Sequence, residues 1–532
     1  MNSQCWDMAI EGLLEIATAL SHSWLRLGAA LLLSIAMSLL VGIPSGLSRG
    51  VERLVLPILD VLQSVPILGF FPIAVYFFIS INPILGPDLA SIFLIFTSTF
   101  WNMAFGVYEG VRAIPPELYE ISRIVNLGIS KRLRQIIIPA SIPRIISQLP
   151  PSIANGLYFL TASEIISFGE KEISVAGVGS LVATYVRKND VTGIVITVGS
   201  LALSIALIFT LIVNPLITWA EKFRFETVTT PSRPGRVTLG PVRRIFTTVR
   251  TRIPSMRMQL TLPSVFVHVG HMPRHLSRFI FIMAISAAAI FFLTVSSSYI
   301  SDVPRILMGI WLMINEMGYI LVLNSVGMSF VRIAIAIFLS LLWSIPVAYI
   351  VAKSDRLRRT ALPVIQIIAS MPVPIFFPLI ADAFLSSREF IELGSILLIV
   401  LGTQWYIFYS LVGGFLRIPT EYRELSKSYS LGRLRELFII YIPFAMPSLV
   451  TGLITATGGA WNTLVVAERL VIGGRVFETS LPGLGKLLSQ YTEMGSVYGM
   501  AVIVFVMTVI VVAFNRFIWR PLYDRTIKMV RE

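Results

Sequence analysis

The chain has 532 residues, of which 55% are hydrophobic and 14% are charged, with a net charge of +14 and a mean hydropathy of +0.81. A soluble globular protein would carry about 25% charged residues, so the composition excludes that class and indicates an integral membrane protein. The single cysteine, Cys5, excludes an intrachain disulfide and a cysteine-cluster metal site. Residues 1–24 contain no Lys or Arg, so we expect no cleavable signal peptide.

Apolar runs of membrane-spanning length follow one another along the chain. A helix needs about 20 apolar residues to cross the hydrocarbon core, and the runs do not alternate as the strands of a membrane barrel do. The sequence therefore predicts an all-α integral membrane protein with about 11 transmembrane helices. The predicted spans lie near residues 25–47, 55–80, 89–111, 139–162, 193–219, 276–297, 326–351, 361–384, 393–415, 443–467 and 498–519.

Basic residues collect in alternate loops between these spans. Lys and Arg favour the cytoplasmic side of short membrane loops. Residues 220–275 carry ten Lys and Arg against two Glu, whereas Asp88 is the one charged residue of the loop 81–88. This alternation predicts that the N-terminus is outside and that the C-terminus is cytoplasmic, together with residues 114–143 and 418–447.

Residues 114–143 align without a gap on residues 418–447, 304 positions later, and 12 of the 30 positions are identical. A unit of five spans that starts outside the membrane ends inside. A second unit in the same orientation must also start outside, so the chain needs one extra crossing, which the sixth apolar run supplies. The sequence therefore predicts two parallel repeats in one chain. We expect the first unit in residues 1–225, a basic cytoplasmic linker in 226–275, and the extra span plus the second unit in 276–532.

The repeated segment has the residues of a short helix–turn–helix. A proline suits the first turn of a helix, where its missing N–H needs no partner, and acidic side chains there favour the helix dipole. A glycine suits a left-handed helix end. A rigid element of this kind on the inner membrane face can pass a push from a cytosolic partner to the spans. We expect these roles for Pro115, Glu117, Glu120 and Gly128, and for Pro419, Glu421, Glu424 and Gly432 in the second copy.

The segment resembles the EAA loop of permease subunits of binding-protein-dependent ABC importers. The likeness is nearest to the nitrate, sulfonate and taurine branch in its fused, two-unit form, and it extends to residues 458–462 and 483–485. The chain departs from the family because Ile121-Ser122 replaces two small residues. Its glutamate-to-glycine spacing, eight residues in both copies, is also longer than the common pattern. An ordinary positive-inside loop with amphipathic helices is the alternative.

This resemblance implies a multi-pass plasma-membrane protein made of two type-I ABC-importer permease units. It implies two copies of a separate ATPase, and an extracellular or periplasmic solute-binding protein. The chain has no G-x-x-x-x-G-K-[ST] phosphate-binding motif, so partner subunits would use the ATP, and we expect no catalytic residue or cofactor in the chain itself. The ATPase-coupling residues would be Glu117, Glu120, Gly128, Glu421, Glu424 and Gly432.

Four residues are candidates for the solute path. Glu164 and Glu468 end the fourth span of each unit, where a carboxylate is costly and commonly functional; a structural hydrogen bond is the alternative. Trp461 and Asn462 follow each other on one helix, and simple packing is the alternative for them. By family likeness the solute is a small polar molecule such as a nitrate-like or sulfonate-like oxyanion, although we expect no Arg or Lys inside a span to hold it.

Two further patterns concern helix packing and helix breaks. Gly452, Ala456 and Ala460 repeat at four-residue spacing and predict a close helix–helix approach. Several prolines predict interrupted helices, which flank the solute path in transporters or are static kinks. They are Pro66, Pro72, Pro150, Pro151, Pro372 and Pro378.

An ion-coupled secondary transporter or channel that needs no ATPase is the rival function. It predicts a relay of buried acidic or histidine side chains. The spans hold few of these, and Asp60 of the first unit has Gln366 as its counterpart in the second. The linker histidines His268, His271 and His275 lack an adjacent acidic ligand, so we expect no metal site. The basic linker suits anionic lipid headgroups and, without interleaved aromatic residues, not nucleic acid.

Overall fold

The computed structural model describes residues 2–63, 65–165, 175–223, 303–385, 390–472 and 475–531. The chain divides into two compact units, one formed by residues 1–232 and 318–532 and the other by residues 233–317. The first unit contains both repeated segments. Of the second unit the structure describes one helix, Val303–Met317. The predicted basic linker, its three histidines and the predicted sixth span lie outside the described residues.

Among the described residues of the first half of the larger unit, all regular elements are helical. A π-helical turn, Leu133–Ile137, connects its sixth and seventh helices, and a second one, Phe209–Val213, connects the ninth and tenth. A 3-10 turn, Glu221–Phe223, follows the tenth. The helices are α1 (Asn2–Leu47), α2 (Arg49–Gln63), α3 (Ile67–Ile81), α4 (Gly86–Arg112), α5 (Pro116–Ile124), α6 (Ile129–Arg132), α7 (Ile138–Ile165), α8 (Val178–Arg187), α9 (Val191–Ile208) and α10 (Asn214–Ala220).

The second half repeats this order and adds a β-hairpin, in which β1 (Arg469–Ile472) pairs with β2 (Arg475–Glu478). A 3-10 turn (Val373–Phe376) and the π-helical turns Leu437–Tyr441 and Asn515–Trp519 connect its helices. With α11 as the helix Val303–Met317, the following helices are α12 (Tyr319–Lys353), α13 (Asp355–Ser370), α14 (Phe377–Leu385), α15 (Ile391–Leu416), α16 (Thr420–Ser428), α17 (Arg433–Glu436), α18 (Ile442–Glu468), α19 (Leu484–Glu493), α20 (Val497–Phe514) and α21 (Arg520–Arg531).

Within the described residues, seven helices are long and apolar enough to cross a membrane. They coincide with the first, third, fifth, seventh, ninth, tenth and eleventh predicted spans. The second and eighth predicted spans are each divided into shorter helices, and the fourth corresponds to α7, which carries three internal prolines and is not among the seven. The predicted all-α membrane class is confirmed.

The prolines act in two different ways. Pro66 and Pro372 stand directly before the second pieces of the divided spans, and their extended backbone (ψ 109° and 116°) marks the predicted breaks. Pro72 instead lies inside α3, and Pro150 and Pro151 lie inside α7. Both helices continue through these prolines, so the predicted breaks there are wrong. Because proline already has a helical φ, a helix that is held by buried neighbours such as Leu149 keeps its course at the cost of a hydrogen bond.

The four π-helical turns occupy matching places in the two halves. Each is followed, two residues after its end, by a proline whose ring clashes with the carbonyl of the residue four positions earlier. That carbonyl belongs to the central residue of the turn in every case, for example to Gln135 before Pro139. The wider π turn, with its i→i+5 bonds, relieves the clash. The other three prolines are Pro215, Pro443 and Pro521.

The long helices of each half pack in the same arrangement. α4 lies between α1 and α7, and α15 lies between α12 and α18. Glycines allow these close approaches: a Cβ at Gly42 would lie 2.7 Å from the Val107 side chain, and one at Gly452 would lie 2.6 Å from that of Ser410. The predicted close approach at Gly452 is therefore confirmed, and Ala456 and Ala460 on the same helix are fully buried.

Candidate functional site

Each repeated segment begins with a short helix, α5 or α16, whose glutamates are exposed. The serine after the second glutamate is buried, at 0% exposure for Ser122 and 3% for Ser426. Its carbonyl accepts a hydrogen bond from a backbone N–H beyond the helix, from Leu127 (2.9 Å) in the first copy and from Leu431 (3.0 Å) in the second. The two segments therefore have the same closed turn and present the same face outward. The exposed acidic residues are Glu117, Glu120, Glu421 and Glu424.

The predicted left-handed glycine is wrong for the second copy. Gly432 has φ −63° and ψ 153° and forms the N-cap of α17. The positive φ falls two residues earlier, at Ser430 (47°), because the chain reverses as soon as α16 has ended. In the first copy Asn126 (φ 55°) occupies the equivalent position, and Gly128 lies just before α6.

The exposed face of each segment is apolar as well as acidic. Ile121, Ile124 and Val125 are exposed in the first copy, whereas Leu425 and Tyr429 take the places of Ile121 and Val125 in the second. Exposed apolar residues rimmed by charges are typical of a protein interaction surface. The two surfaces share a position and differ in chemistry, because one is aliphatic and the other is partly aromatic.

The support behind the two segments also differs. Glu436 is buried at the base of the second segment, where it accepts hydrogen bonds from Tyr349 Oη (2.5 Å) and from Lys353 Nζ. Its counterpart 304 positions earlier is Arg132, whose guanidinium Nη2 donates to the Leu127 carbonyl (3.5 Å). A buried acid therefore supports one segment and a basic residue the other.

At the end of α18 remote from this segment, the second half contains a buried ion-pair network. The Glu468 side chain has no exposed surface and accepts hydrogen bonds from Arg332 Nη1 (2.7 Å), Ser329 Oγ (2.8 Å) and the Gly485 backbone N–H (2.7 Å). Arg332 Nε also donates to Glu392 (2.8 Å). The carboxylate thus connects α18 to α12 and to the start of α19, and Arg332 extends the network to α15.

The first half has the same network at the matching positions. Glu164 accepts hydrogen bonds from Arg26 Nη1 (3.0 Å), Ser23 Oγ (2.6 Å) and the Gly179 N–H (2.8 Å), and Arg26 Nε donates to Asp88 (2.6 Å). A buried charge is tolerated when it is paired and hydrogen-bonded. Each network therefore fixes a short helix, α8 or α19, onto the long helices.

The two arginines are the functional-site residues that the sequence reasoning missed. Arg26 and Arg332 both lie inside predicted spans and pair with buried carboxylates, a role that was not predicted for them. The available signal was their equivalent placement, since Arg26 and Arg332 are 306 positions apart, as are Ser23 and Ser329.

A second unpredicted feature is the β-hairpin that follows Glu468. Arg469 forms ion pairs with Glu478 of the opposite strand and with Glu493 of α19 (2.6 Å). Lys486 Nζ pairs with Glu478 (2.7 Å). These contacts hold α19 against the hairpin in the second half.

A cavity of about 280 Å³ lies between the two halves. Its lining residues in α7 and α18 lie between the start of each helix, which follows the repeated segment, and the glutamate of the buried network at its end. Both halves contribute to its wall, and among the described residues every side chain of the lining is uncharged. The polar and aromatic lining residues are Gln63, Ser98, Trp101, Asn102, Asn155, Tyr158, Phe159, Tyr406, Thr455, Thr457, Trp461, Asn462, Thr463, Phe514, Asn515 and Trp519.

Among the described residues, two hydrogen bonds between side chains cross from one half to the other at this cavity. Tyr406 Oη donates to Asn155 Oδ1 (2.8 Å), and the Tyr158 and Thr463 hydroxyls are 2.9 Å apart. Thr463 already donates to the Gly459 carbonyl (3.0 Å), so Tyr158 is the donor to Thr463. These bonds close the wall where α7 meets α15 and α18.

The predicted pathway residues fall into two groups. Trp461 and Asn462 line the cavity, and Asn462 Oδ1 accepts a hydrogen bond from the Leu68 N–H (3.3 Å) just after the break at Pro66. Glu164 and Glu468 lie in the buried networks instead, away from the described lining. Among the described residues, no group of three His, Cys, Asp or Glu side chains is placed to hold a metal ion.

Comparison with known families gives two matches in this chain. The family described as "Binding-protein-dependent transport system inner membrane component" matches residues 34–222 and again residues 340–521. The two matches coincide with the two structural halves, and together they cover more than half of the chain.

Curated relatives match shorter stretches. The chain is 29% identical over 158 residues to the bicarbonate transport system permease protein CmpB of Synechococcus elongatus, which is 30% of the chain and 53% of the relative. It is 27% identical over 179 residues to the taurine transport system permease protein TauC of Escherichia coli (34% and 63%). It is 26% identical over 141 residues to the nitrate import permease protein NrtB of Synechococcus elongatus (26% and 48%). The matched regions thus span about half the length of these relatives.

Proposed function

The chain belongs to the family of binding-protein-dependent transport system inner membrane components, and we propose that it carries two permease units of an ATP-driven importer. The observation that carries this proposal is the cavity, because its wall is built from both family-matched halves. A solute path shared by two similar units is the arrangement that alternating access requires.

The solute is a small polar molecule of the oxyanion class. The named relatives transport bicarbonate, taurine and nitrate, and the cavity is small and includes neutral polar side chains such as Asn155 and Asn462 in a largely apolar wall. Trp461 and Asn462 contact the solute in this proposal, since both line the cavity beside the break at Pro66. Broken helices at the middle of a transporter commonly flank its substrate.

The two repeated segments are the docking surfaces for a pair of separate ATPase subunits. Each presents a short exposed helix with two glutamates and an apolar face, which suits insertion into a groove of another protein. Glu117 and Glu120 in α5, and Glu421 and Glu424 in α16, form the acidic rim. Gly128 and Gly432 lie directly before α6 and α17, which lead on to α7 and α18.

Movement passes from the docking surfaces to the cavity along α7 and α18. The π-helical turns Leu133–Ile137 and Leu437–Tyr441 lie between each docking helix and these long helices. When the ATPases close, the halves move relative to each other and the Tyr158–Thr463 and Tyr406–Asn155 bonds separate. A solute-binding protein delivers the solute at the opposite mouth.

Glu164 and Glu468 have a bracing role near that outer mouth. Their carboxylates are fully paired and lie away from the described cavity lining. Arg332 pairs with both Glu468 and Glu392, which supports this role. If Arg332 moved away from Glu468, the buried carboxylate would be left without a cation, which is costly. Solute contact is thus assigned to the cavity, and alignment of α8 and α19 to the carboxylates.

The orientation follows the distribution of basic residues. The N-terminus is outside, and the docking segments and the C-terminus face the cytoplasm, where ATP is available. In a Cys5→Ser background, single cysteines at Ile124 and Tyr429 should resist a membrane-impermeant maleimide in intact cells. Cysteines at Val191, the first residue of α9, and at Met494, directly after α19, should react, because both residues are exposed and the proposed orientation puts them outside. Reaction at Ile124 or Tyr429 would contradict the orientation.

The proposal is tested by searching the adjacent reading frames for an ATPase with a phosphate-binding motif and co-purifying that ATPase with this chain. A Glu120→Lys/Glu424→Lys double variant should reduce the association at least about tenfold, which corresponds to ~1.4 kcal/mol. Glu221→Lys is the matched control, because Glu221 is an exposed glutamate outside both segments. Equal association of the double variant and the wild type would refute the docking role.

The rival ion-coupled mechanism predicts uptake by the purified chain alone under an ion gradient. The ATPase-coupled mechanism predicts no uptake into proteoliposomes until the ATPases, ATP and the binding protein are added. Uptake driven by a proton or sodium gradient alone would refute the proposed function.

A further inference from the structure

Three glycines lie along the middle of α18, and close packing explains two of them. A Cβ at Gly452 would lie 2.6 Å from the Ser410 side chain, and one at Gly459 would lie 3.1 Å from Tyr406 Cε2. A larger residue at either place would push α15 away. For Gly458 the position is different, because no described residue outside the local helix lies within 4 Å of the place that a Cβ would take. Packing therefore does not account for this glycine.

A glycine at position 458 also has a cost. It lies well inside α18, and glycine in the middle of a helix destabilises the helix relative to alanine, because it loses more conformational freedom on folding. An alanine methyl group would fit at 458 without a clash. A residue that lowers stability and makes no required contact is expected at a functional position, and what Gly458 provides there is space.

The space beside Gly458 belongs to the cavity between the halves. Gly458 lines the cavity together with Thr455, Gly459 and Asn462. Residues three, four and seven positions apart share one side of an α-helix, so these four form a single face. All four are at least partly exposed, whereas Ala460 of the same helix is fully buried. A side chain at position 458 would thus project into the cavity.

The first half does not repeat this feature. The counterpart of Gly458, 304 positions earlier, is Ala154, which is not part of the described lining. Instead α7 contributes the larger residues Asn155 and Tyr158, and each of them is held by a hydrogen bond to the second half. Because these side chains are fixed, the width of the cavity beside α18 depends on Gly458.

We infer that Gly458 sets the upper limit on the size of the solute that the chain transports, because the solute occupies the space into which any other residue would place its side chain. This inference rests on the proposed solute path through the cavity and adds the residue that determines its size limit. One carbon more or less in a closely fitting pocket changes discrimination between substrates by about 10- to 200-fold. Short solutes should therefore still pass a residue larger than glycine, and longer ones should be excluded.

Uptake into proteoliposomes tests the size limit directly. The probes are alkanesulfonates with one to four carbon atoms, and the liposomes contain the chain, its ATPases and the binding protein. Gly458→Val should lower uptake of the longest sulfonate that the wild type imports by about tenfold or more relative to methanesulfonate. Gly413→Val is the matched control, since a Cβ at Gly413 in α15 also meets nothing within 4 Å, but Gly413 does not line the cavity. An unchanged uptake ratio in folded Gly458→Val would overturn the inference.

Urea unfolding distinguishes a loss of space from a loss of folding. Gly458→Ala should unfold at the same urea concentration as the wild type or at a higher one, because its methyl group meets no clash. Gly452→Ala should unfold at a lower concentration, because its Cβ would lie 2.6 Å from the Ser410 side chain. A lowered midpoint for Gly458→Ala would also overturn the inference, since packing would then require the glycine.

Cysteine reactivity gives a test that does not depend on the solute. In a Cys5→Ser background, Gly458→Cys should react with 2-sulfonatoethyl methanethiosulfonate in the purified full chain, because the reacting species is the thiolate and a thiol ionises where water reaches it. Ala456→Cys, two residues earlier at a fully buried position, should not react. If the two cysteines react equally slowly, position 458 does not face a path for polar solutes.

These outcomes are separable from the proposed function. If the wild type imports none of the probes, the oxyanion class proposed for the solute is wrong, and the reactivity of Gly458→Cys decides the inference. If that cysteine does not react while the chain still associates with its ATPases, the role of Gly458 is wrong and the permease function stands.

Discussion

Replacement of Arg332 by methionine tests how the buried network around Glu468 contributes to stability. The Arg332 side chain is 2% exposed and its partner Glu468 is fully buried. Arg332 also donates to Glu392 and to the carbonyls of Leu481 and Pro482. Arg332→Met leaves the Glu468 charge without its cation, and breaking one side of a buried pair costs about 3–5 kcal/mol.

The chemistry of the network gives a sharper expectation for a double variant. In Arg332→Met/Glu468→Gln the uncompensated charge is gone, and the Gln carbonyl can still accept the Gly485 N–H. The double variant should therefore recover about half or more of the loss, because the cost of a broken pair is largely that of the unpaired charge. Arg26→Met in the first half should cost less than Arg332→Met, since Arg26 donates to two residues, Asp88 and Glu164.

Urea unfolding of the detergent-solubilised chain, followed by far-ultraviolet circular dichroism, measures these differences. Arg358→Met is the control, because Arg358 forms an exposed pair with Asp355, and exposed pairs contribute about 0–1 kcal/mol. If Arg332→Met lost no more stability than this control, the network would have no bracing role. A double variant less stable than Arg332→Met would also contradict the reasoning, because the burial of an unpaired charge would then not be the source of the cost.

Three other changes give distinct expectations. Tyr158→Phe removes one hydrogen bond between the halves and should cost about 1 kcal/mol of stability. It should also raise the rate of ATP hydrolysis in the absence of solute. Tyr409→Phe, at a residue outside the cavity lining, should leave that rate unchanged. Pro443→Ala should convert the π turn Leu437–Tyr441 to regular α-helix and weaken the coupling of ATP hydrolysis to uptake. Unchanged coupling in a variant whose turn has become α-helical would refute the role of the π turn in transmission. Glu436→Gln should destabilise the repeated segment 418–447 by about 1–3 kcal/mol. Backbone amides of that segment should then exchange hydrogen faster, whereas those of segment 114–143, where Arg132 takes the place of the acid, should exchange as before.

Several features could be predicted from the sequence because they depend on neighbouring residues or on repetition. The apolar runs required membrane helices, since backbone polar groups must be satisfied within lipid. The duplicated segment at 114–143 and 418–447 predicted the two halves, and Pro66 and Pro372 predicted the divided spans. The π turns also have a local cause, because a proline follows each of them by two residues, but they were not predicted.

The tertiary structure decided which distant residues meet. Arg26 and Glu164 are 138 positions apart, and Tyr406 and Asn155 are 251 apart; no periodicity in one segment specifies such contacts. They arise because Gly42 and Gly452 let the long helices approach closely, which fixes the positions of side chains on separate helices. The same packing left Trp461 at a cavity with its N–H unpaired and kept Glu468 away from it. Local sequence therefore determined the helices and their breaks, and the packing of those helices determined where charge is buried and where a solute has room.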